Sequence, residues 1–495
     1  MARIAVIGAG MGAMAAAARL AVAGHRVTVY ERSATYGGAL GAFERDGFVF
    51  DTGPGLLHLP AVWRDLFLKT GKEPLERCVG LTEVDPASRH LFADGSAVTL
   101  PNASRAGIVS ALESALGAGA GERWGDFLGR ARDAWDRSRR PLLEEPLWDD
   151  WQVLGRDPYP ALRQRRMLRT RQATTVSEVG ALELADPRLA ALFEGCALAY
   201  GLDPRHAPAS AALLPYMEQT FGSWYVAGGM RELARAVYER CLARKVEFVF
   251  GSEVTSVLVR DGRAAGVELA GAAVAEADQV VAGADIPLPA GQELWEDGDV
   301  RPQAGPGAGQ LPGRFTVLLG LRGARPAAAV HRSVVHSPDT GAEAAAVFGG
   351  RLAERPTVTV LRPDDPRTRP DDAHEAVTVT ATVTGHGGAI DWRDKALRER
   401  CAEALIDAAG TAVEDLRARA LWHEILTPAE TGGLPAPSLA GLGGRYLHPA
   451  NSTRLPGLHL VGGRSHPGGG LAHAGMSGAL VAGLIVEGAD FRGSR

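Results

Sequence analysis

The chain opens with a pattern of apolar and polar positions that predicts a strand, a helix and a second strand. Ile4–Ile7 is a short apolar run that stops at a glycine, as is typical of a buried parallel strand. The alanine-rich segment Ala13–Ala23 predicts the following helix, and Arg26–Tyr30 predicts the second strand. Such a β-α-β unit joins parallel strands through a right-handed crossover. The chain therefore begins in a parallel sheet.

Later periodic segments predict that the chain leaves this sheet and returns to it. Around Gly228 it comes back through a helix that ends near Arg244, and Asp261-Gly262 signals a hairpin. The other predicted helices are Trp63–Thr70, Trp124–Leu143, Asp394–Ala409 and Ala472–Glu487. Further strands are predicted at Arg89–Leu100 (a hairpin), Glu247–Phe250, Val254–Val259, Ala265–Leu269, Gln279–Ala282, Phe315–Leu321, Thr357–Leu361, Ala376–Val383 and Leu458–Val461.

Length, charge and cysteine content narrow the class of protein. A chain of 495 residues exceeds the size of about 250–300 residues at which single cores stop growing, so we expect two domains. The formal charge of -5 gives no basic signal for nucleic acid. Four widely spaced cysteines argue against a disulfide framework or a zinc site. No apolar stretch approaches the ~20 residues of a membrane span. We expect a cytoplasmic protein that is soluble or bound to a membrane surface.

The first turn carries a glycine motif that predicts a bound dinucleotide. Side chains at Gly8 and Gly10 would keep the backbone away from a pyrophosphate, and the helix start supplies amide donors. Ala13 is a small residue where helix and strand pack closely. After the second strand, Glu31 can accept from a ribose hydroxyl and disfavours a 2′-phosphate. Arg32 would partly reverse that preference, or is a solvated surface cation.

Three more glycine-rich segments suggest that the dinucleotide is a flavin. Gly37-Gly38-Ala39-Leu40 and Asp51-Thr52-Gly53-Pro54-Gly55 soon follow the second strand, and Gly462-Gly463 ends the last predicted strand. The final helix begins near Ala472, and its N-terminus would stabilise negative charge that develops on a reduced flavin.

The quoted motifs resemble those of the phytoene desaturase family, within the wider amine-oxidase-like flavoproteins. The resemblance lies in Glu31–Pro54, in Leu213–Met230 and in the C-terminal segment His466-Pro-Gly-Gly-Gly-Leu471. It implies an α/β fold in which a Rossmann-type FAD-binding domain, built from discontinuous segments, is joined to a mixed sheet and helix substrate domain. The FAD-binding domain would take residues 1–60, 226–286 and 421–495. The substrate domain would take residues 61–225 and 287–420, the alternative being that some elements of 61–225 belong to the FAD domain.

Motifs and resemblance together give a set of candidate FAD contacts. These are Gly8, Gly10, Met11, Gly12, Ala13, Glu31, Arg32, Gly38, Ala39, Leu40, Gly55, Leu56, Val254, Gly463, Leu471 and Ala472. Two positions depart from the family pattern. Ala39 stands where the family usually has an arginine, and Ala472-His473 stands where it commonly has Pro-Gly. His473 is therefore our candidate for flavin tuning or proton transfer, the alternative being a helix-start histidine that faces solvent.

The resemblance implies an FAD-dependent oxidoreductase. Hydride would pass from a substrate C–H bond to flavin N5, a proton would leave, and a C=C bond would form in a carotenoid or other isoprenoid-like apolar substrate. A quinone or oxygen would reoxidise the flavin. One alternative is oxidation of a C–N or C–C bond in a polar specialised metabolite, which a tunnel with several polar groups would favour. Another is a non-catalytic isoprenoid-binding escort protein, against which both intact glycine segments argue.

One local basic run stands out, formed by Arg163, Arg165, Arg166, Arg169 and Arg171. On a helix these side chains would spread over most faces, which predicts a solvated surface. The alternative is contact with a membrane surface beside the entrance for an apolar substrate.

Overall fold

The computed structural model describes residues 1–166, 169–284, 294, 300 and 311–494; for residues 163–166, 169–171 and 489 it describes the backbone alone. The expected domain boundary between residues 286 and 287 lies outside the described residues.

A five-stranded parallel sheet gathers strands from the beginning, middle and end of the chain. Its order is β12-β2-β1-β16-β22, and every neighbouring pair is parallel. The bounds are β1 Arg3–Ile7, β2 Arg26–Glu31, β12 Glu247–Phe250, β16 Gln279–Ala282 and β22 Leu458–Leu460. The Rossmann-type sheet assembled from discontinuous segments is thereby confirmed.

Four helices pack around this sheet. They are α1 Met11–Val22, α2 Ala61–Gly71, α8 Met230–Ala243 and α13 Leu471–Glu487. Helix α1 is buried along most of its length, because its alanines are strong helix formers small enough to let neighbours approach from several sides. Its close neighbours are α13 and α8.

Small sheets extend this layer. Strands β3 Ala42–Arg45 and β4 Phe48–Asp51 form a hairpin. Strands β5 Leu57–His58, β11 Ser223–Val226 and β6 Leu81–Glu83 form one antiparallel sheet. Strands β13 Val254–Arg260, β14 Arg263–Leu269 and β15 Val274–Glu276 form another. The predicted turn at Asp261-Gly262 is confirmed, with φ of 51° and 72° at its two residues.

A seven-stranded sheet, which we call the large sheet, forms the second layer. Its order is β21-β17-β20-β19-β18-β7-β8, antiparallel except between β18 and β7. The bounds are β7 Ser88–Leu91, β8 Ala97–Leu100, β17 Gly313–Arg322, β18 Arg332–Val335, β19 Val358–Leu361, β20 His374–Val383 and β21 Ala420–Leu426.

Apolar residues of β17 and β20 alternate with inward-facing polar ones. Phe315, Val317, Val377 and Val379 pack beneath helix α10 Lys395–Ala409. The opposite face, which we call the inner face, packs against the hairpin of β3 and β4 and against the helical region. Short helices α9 Thr340–Phe348, α11 Leu416–Arg419 and α12 Pro428–Thr431 lie near the margins of this layer.

The helical region comprises α3 Arg105–Leu116, α4 Ala120–Arg139, α5 Val176–Val179, α6 Pro187–Ala199 and α7 Leu213–Phe221. Its core is aromatic, with Trp124, Phe127 and Phe193 in contact. In the part of the chain that the structure describes, no helix is both long and apolar enough to cross a bilayer.

The helical reading of the basic run is wrong. Strands β9 Arg163–Arg166 and β10 Arg169–Gln172 form an antiparallel hairpin instead. The run has no apolar stripe that would hold a helix against a core, so charge spacing alone was a poor guide.

Candidate cofactor site and substrate cavity

Helices α1 and α13 begin without side-chain caps. Gly10 and Gly470 are their N-cap residues, and neither first turn holds an acidic residue. The first amides of each helix therefore have no side-chain acceptor within the described chain, and each start carries the positive end of a helix dipole. Both helix starts are suited to bind negative charge.

Glycines bring the two helices into backbone contact. A Cβ on Gly12 would lie 2.8 Å from the Ala474 carbonyl oxygen and 3.1 Å from Gly462 Cα. A Cβ on Gly478 would lie 2.6 Å from the Gly12 carbonyl oxygen and 2.8 Å from Ala15 Cβ. The N-terminal motif and the C-terminal segment therefore form one assembly, although more than 400 residues of chain separate them.

Gly10 stands in a different environment from Gly12. A Cβ on Gly10 would have no atom within 4 Å, and its φ of -72° is open to any residue. The second glycine loop closes over it, since a Cβ on Gly38 would lie 3.1 Å from Gly10 Cα and Gly37 donates to the Ala9 carbonyl at 2.8 Å. This space beside unpaired helix-start amides fits a dinucleotide diphosphate, and a side chain at Gly10 would fill it.

The remaining residues of the first motif behave as expected of a close-packed turn. Gly8 has a φ of 87°, which favours glycine, and donates to the Tyr30 carbonyl at 2.8 Å. Ala13 Cβ lies 3.1 Å from where Gly283 would carry a Cβ, so a larger residue would separate α1 from the end of β16. Met11 is buried against the same core.

Glu31 lies at the end of β2 with its carboxylate turned toward the motif. One oxygen accepts from the Ala9 amide at 2.7 Å and the other from the Ser33 amide at 2.8 Å. A carboxylate has about four lone-pair positions, so it can still accept from ribose hydroxyls. Arg32 beside it is exposed. Val254, the residue assigned to the adenine, begins β13 and is half-buried.

An arginine that sequence reasoning missed holds the second glycine loop. The Arg231 guanidinium donates to the carbonyls of Tyr36 and Leu40, the latter at 3.1 Å, and to Thr35 Oγ1 at 2.5 Å. It also lies 4.1 Å from the centroid of the Tyr36 ring. Ala39, which stands where the family usually has an arginine, is exposed in this loop. Arg231 therefore brings a positive charge to the loop that lacks one at residue 39. The sequence feature that could have identified Arg231 is its position directly after Gly228-Gly229-Met230.

Asp51 ties the first hairpin to the same helix. Its carboxylate accepts from the Arg231 amide at 3.3 Å at the start of α8. Burial raises the pKa of Asp51 to about 6, against the opposing effect of the amides of Met230 and Arg231.

Gly55 and Leu56 lie where the cofactor layer meets the large sheet. A Cβ on Gly55 would lie 2.6 Å from Leu361 Cδ1 on β19. Leu56 is buried with Val84 and Tyr225. A small cavity opens here between Gly53, Gly55, Tyr225, His331 and Thr378.

His473 is buried and does not face solvent. Burial, with a smaller contribution from His448, lowers the pKa of His473 to about 4. Its Nδ1 lies 3.2 Å from where Gly470 would carry a Cβ, so the ring folds back toward the preceding loop. At neutral pH it is an uncharged imidazole at the start of α13.

Gly463 sits against the loop that leads to α13. A Cβ on Gly463 would lie 3.1 Å from Pro435 Cγ and 3.5 Å from Gly469 Cα. His466 in this loop donates through Nε2 to the Glu145 carbonyl at 3.0 Å and so braces the loop.

A polar cluster lies between the inner face and helices α6 and α7. Arg332 on β18 pairs with Glu218 on α7 at 3.0 Å, and Tyr200 donates to Glu218 at 3.1 Å. His58 Nε2 lies 3.8 Å from the same carboxylate. Burial pushes the pKa of Glu218 upward, but Arg332 and His58 outweigh it and the pKa falls to about 2. No short motif marks these residues, and sequence reasoning missed all of them.

These side chains are deep in the protein yet keep some accessible surface. The exposed fractions of His58, Glu218 and Arg332 are 23%, 15% and 17%. That surface faces a space between the inner face and helices α6 and α7. We call it the substrate cavity.

Comparison with known proteins finds a matching family model and relatives of similar length. The model of the family described as flavin containing amine oxidoreductase matches residues 14–486. A 4,4′-diapolycopene oxygenase from Methylomonas sp. is 29% identical over 98% of this chain and 98% of its own length. A hydroxyneurosporene desaturase from Rubrivivax gelatinosus is 30% identical over 99% of this chain and 94% of its own.

A solved structure supports the same fold. The chain described as an oxidoreductase from Methanosarcina mazei superposes with a TM-score of 0.64 at 16% identity, covering 97% of this chain and 99% of that one.

Proposed function

The chain belongs to the family of flavin containing amine oxidoreductases, and from that premise we propose that it is an FAD-dependent desaturase or oxidase of a carotenoid-like substrate. FAD as the cofactor and oxidoreductase as the class follow from the family and speak against a non-catalytic escort protein. The carotenoid-like substrate is supported by the two relatives, whose names describe a carotenoid oxygenase and a carotenoid desaturase.

The contact between α1 and α13 carries the proposal. It sets two uncapped helix starts beside each other, joined by Gly12 and Gly478. One helix start would hold the diphosphate through the amides of Met11–Ala13. The other would face the reactive end of the cofactor through those of Leu471–His473. A mononucleotide would need only one of these two helix starts, whereas a dinucleotide such as FAD can use both.

Residues of this chain position the cofactor in three ways. Glu31 would accept from the ribose, Arg231 would keep the loop around Gly38 closed, and neutral His473 would lie beside the cofactor at the start of α13. When bound, FAD supplies the hydride acceptor at N5 for removal of hydrogen from a substrate C–H bond. Gly55 packs closely against Leu361 where the two layers meet, so that a larger residue at position 55 would push them apart.

A second candidate is oxidation of a polar small molecule. The Glu218–Arg332 pair and Tyr200 favour it, because they put charge and hydroxyl groups into the substrate cavity.

Anaerobic mixing separates the two candidates. The FAD-loaded protein would be mixed with an acyclic carotene in liposomes and, separately, with a panel of soluble amines and hydroxy acids. We expect the carotene to bleach the flavin absorption and its own spectrum to shift to longer wavelength, since an added double bond lengthens the conjugated chain. Bleaching by a soluble compound and none by any carotene would overturn the desaturase proposal.

A further inference from the structure

Arg314 is a partly buried cation that has no anionic partner among the described residues. It lies near the start of β17, on the inner face, opposite Thr382 of β20. Among the described residues its guanidinium makes no hydrogen bond or ion pair, and its one electrostatic neighbour is the Tyr200 phenol. Burial lowers the pKa of Arg314, and Tyr200 opposes that effect. A buried charge is costly unless it is paired.

The charges around Arg314 do not balance. Arg332 and Glu218 neutralise each other at 3.0 Å. Burial lowers the pKa of His58 and raises that of Tyr200 well above its ordinary value, so both are neutral at neutral pH. Among the described residues, the cluster is therefore left with one surplus positive charge, that of Arg314.

Hydroxyl groups continue the polar surface away from Arg314. Thr316, Thr380 and Thr359 lie side by side on β17, β20 and β19, and Thr378 follows on the same face. Within the described chain their hydroxyls make no hydrogen bond, whereas that of Thr382 donates to the Leu198 carbonyl at 3.1 Å. We call these four unpaired residues the threonine row.

The threonine row leads toward the cofactor layer. Thr378 lines the small cavity beside Gly53 and Gly55. Thr382, opposite Arg314, and Thr378 are four residues apart on one strand, about 13 Å. A ligand group held at Arg314 therefore lies roughly that far from the place where the two layers meet.

We propose that Arg314 anchors a carboxylate on the substrate, with the chain of the substrate lying along the threonine row toward Gly55. The inference rests on the proposed function, because it specifies which carotenoid-like molecule the cavity accepts: a polyene that ends in an acid. A carboxylate matches the fork of donors of a guanidinium. A pure hydrocarbon would leave Arg314 and the threonine hydroxyls unpaired.

Three retinoids that share one polyene skeleton test the anchor. Retinoic acid, retinol and retinylamine would be titrated into the FAD-loaded protein, and quenching of tryptophan fluorescence would give the Kd of each. We expect retinoic acid to bind about tenfold more tightly than retinol, and retinylamine to bind most weakly. Arg314→Gln should bring the three values together, and Arg314→Lys should restore part of the preference.

Arg322→Gln is the matched control. Arg322 is at the other end of β17, is exposed, and donates to the Ala418 carbonyl. It should keep the preference of the unaltered protein. Equal affinities for acid and alcohol in the unaltered protein, or an acid preference that survives Arg314→Gln, would overturn the anchor.

Thermal unfolding separates an anchor from a structural charge. Arg314→Gln should leave Tm unchanged or raise it, because it removes an unpaired buried cation. A fall in Tm comparable to that of a core substitution would make Arg314 structural and refute the anchor.

Failure of the anchor and failure of the proposed function have different signatures. Oxidation of hydrocarbon carotenes by the unaltered protein, together with equal affinities for retinoic acid and retinol, would leave the desaturase and remove the anchor. A clear preference for the acid, with no polyene of any kind oxidised, would leave the anchor and remove the desaturase.

Discussion

Where α1 crosses α13, backbone meets backbone, and a single methyl group on Gly12 or Gly478 would lie within 2.8 Å of a carbonyl oxygen. On the inner face of the large sheet the opposite holds. There the space is lined by side chains, and Arg314 and the threonine row have polar groups without partners in the described chain. The first region is closed around a cofactor shape. The second has polar groups that a bound ligand could pair with.

This difference explains why the two regions respond differently to substitution. A backbone-lined contact tolerates no added volume, because neighbouring main chain cannot rotate away. A side-chain-lined face changes what it binds when a polar group is replaced, while the sheet beneath keeps its hydrogen bonds. The same family fold can therefore keep its cofactor and change its substrate.

The largest effect is expected at Gly478. Gly478→Ala would bring a Cβ within 2.6 Å of the Gly12 carbonyl oxygen and force α13 away from α1. We expect a loss of about 3 kcal/mol in the free energy of unfolding, and colourless protein. Chemical denaturation and the visible spectrum would measure both.

Gly10→Val is its matched partner, because a Cβ there meets nothing within 4 Å. This variant should fold with near-normal stability and still lose FAD, since the valine side chain fills the space beside the helix-start amides that would hold the diphosphate. A yellow Gly10→Val protein would contradict the placement of the diphosphate, and a stable, yellow Gly478→Ala protein would contradict the tight crossing.

The cofactor region was open to sequence analysis for a physical reason. Close approach of backbone requires glycine or alanine at fixed spacings, so the motif of Gly8, Gly10 and Ala13 can be recognised in the sequence. The strands of the parallel sheet were likewise predicted to within a few residues, because buried parallel strands are continuously apolar. The individual FAD contacts and the domain boundaries stay predictions.

The substrate cavity was hidden for the converse reason. Glu218 and Arg332 are 114 residues apart in the chain and pair only in the folded structure, one from α7 and one from β18. The threonine row shares a face through the register of three strands. Neither arrangement leaves a local motif in the sequence. The basic run was wrongly considered as a helix, because the spacing of its arginines does not show that β9 and β10 pair with each other.

An acid-dependent loss of stability is expected from His473. Its folded pKa of about 4 is below the ordinary 6.5, so the unfolded chain binds more protons between these values. Stability is therefore full above pH ~6.5 and is lost as pH falls toward 4. His473→Gln should remove about 2 kcal/mol of the stability difference between about pH 7.5 and 5.

His331 sharpens this test, because burial lowers its pKa to about 4 as well and it lines the small cavity beside Gly55. His331→Gln should reduce the pH dependence of unfolding similarly. FAD release, followed by flavin fluorescence against pH, should change in His473→Gln alone. Equal changes in both variants would separate His473 from the cofactor.

A smaller effect is expected at Arg231, which acts on the cofactor through the loop around Gly38. Arg231→Gln removes the donors to Thr35, Tyr36 and Leu40 and should weaken FAD binding about tenfold. Reconstitution of the apoprotein with FAD would give the Kd. Arg235→Gln, an exposed arginine of the same helix that pairs with Glu232 and Glu239, should leave that Kd unchanged. A tenfold loss in both variants would make the effect one of general charge.

The smallest effect separates the unpaired hydroxyls of the inner face from a paired one. Thr380→Val keeps the shape of the side chain and removes a hydroxyl that has no partner within the described residues, so unfolding should change by less than about 0.5 kcal/mol. Thr382→Val, two residues along β20, leaves the Leu198 carbonyl without its donor and should cost about 1 kcal/mol. Retinoic acid should bind more weakly to Thr380→Val than to the unaltered protein. If Thr380→Val destabilises the protein as much as Thr382→Val does and still binds the acid normally, the Thr380 hydroxyl stabilises the fold. The inner face would then offer no unpaired hydroxyl to a ligand at this position, and it would resemble the closed crossing of α1 and α13.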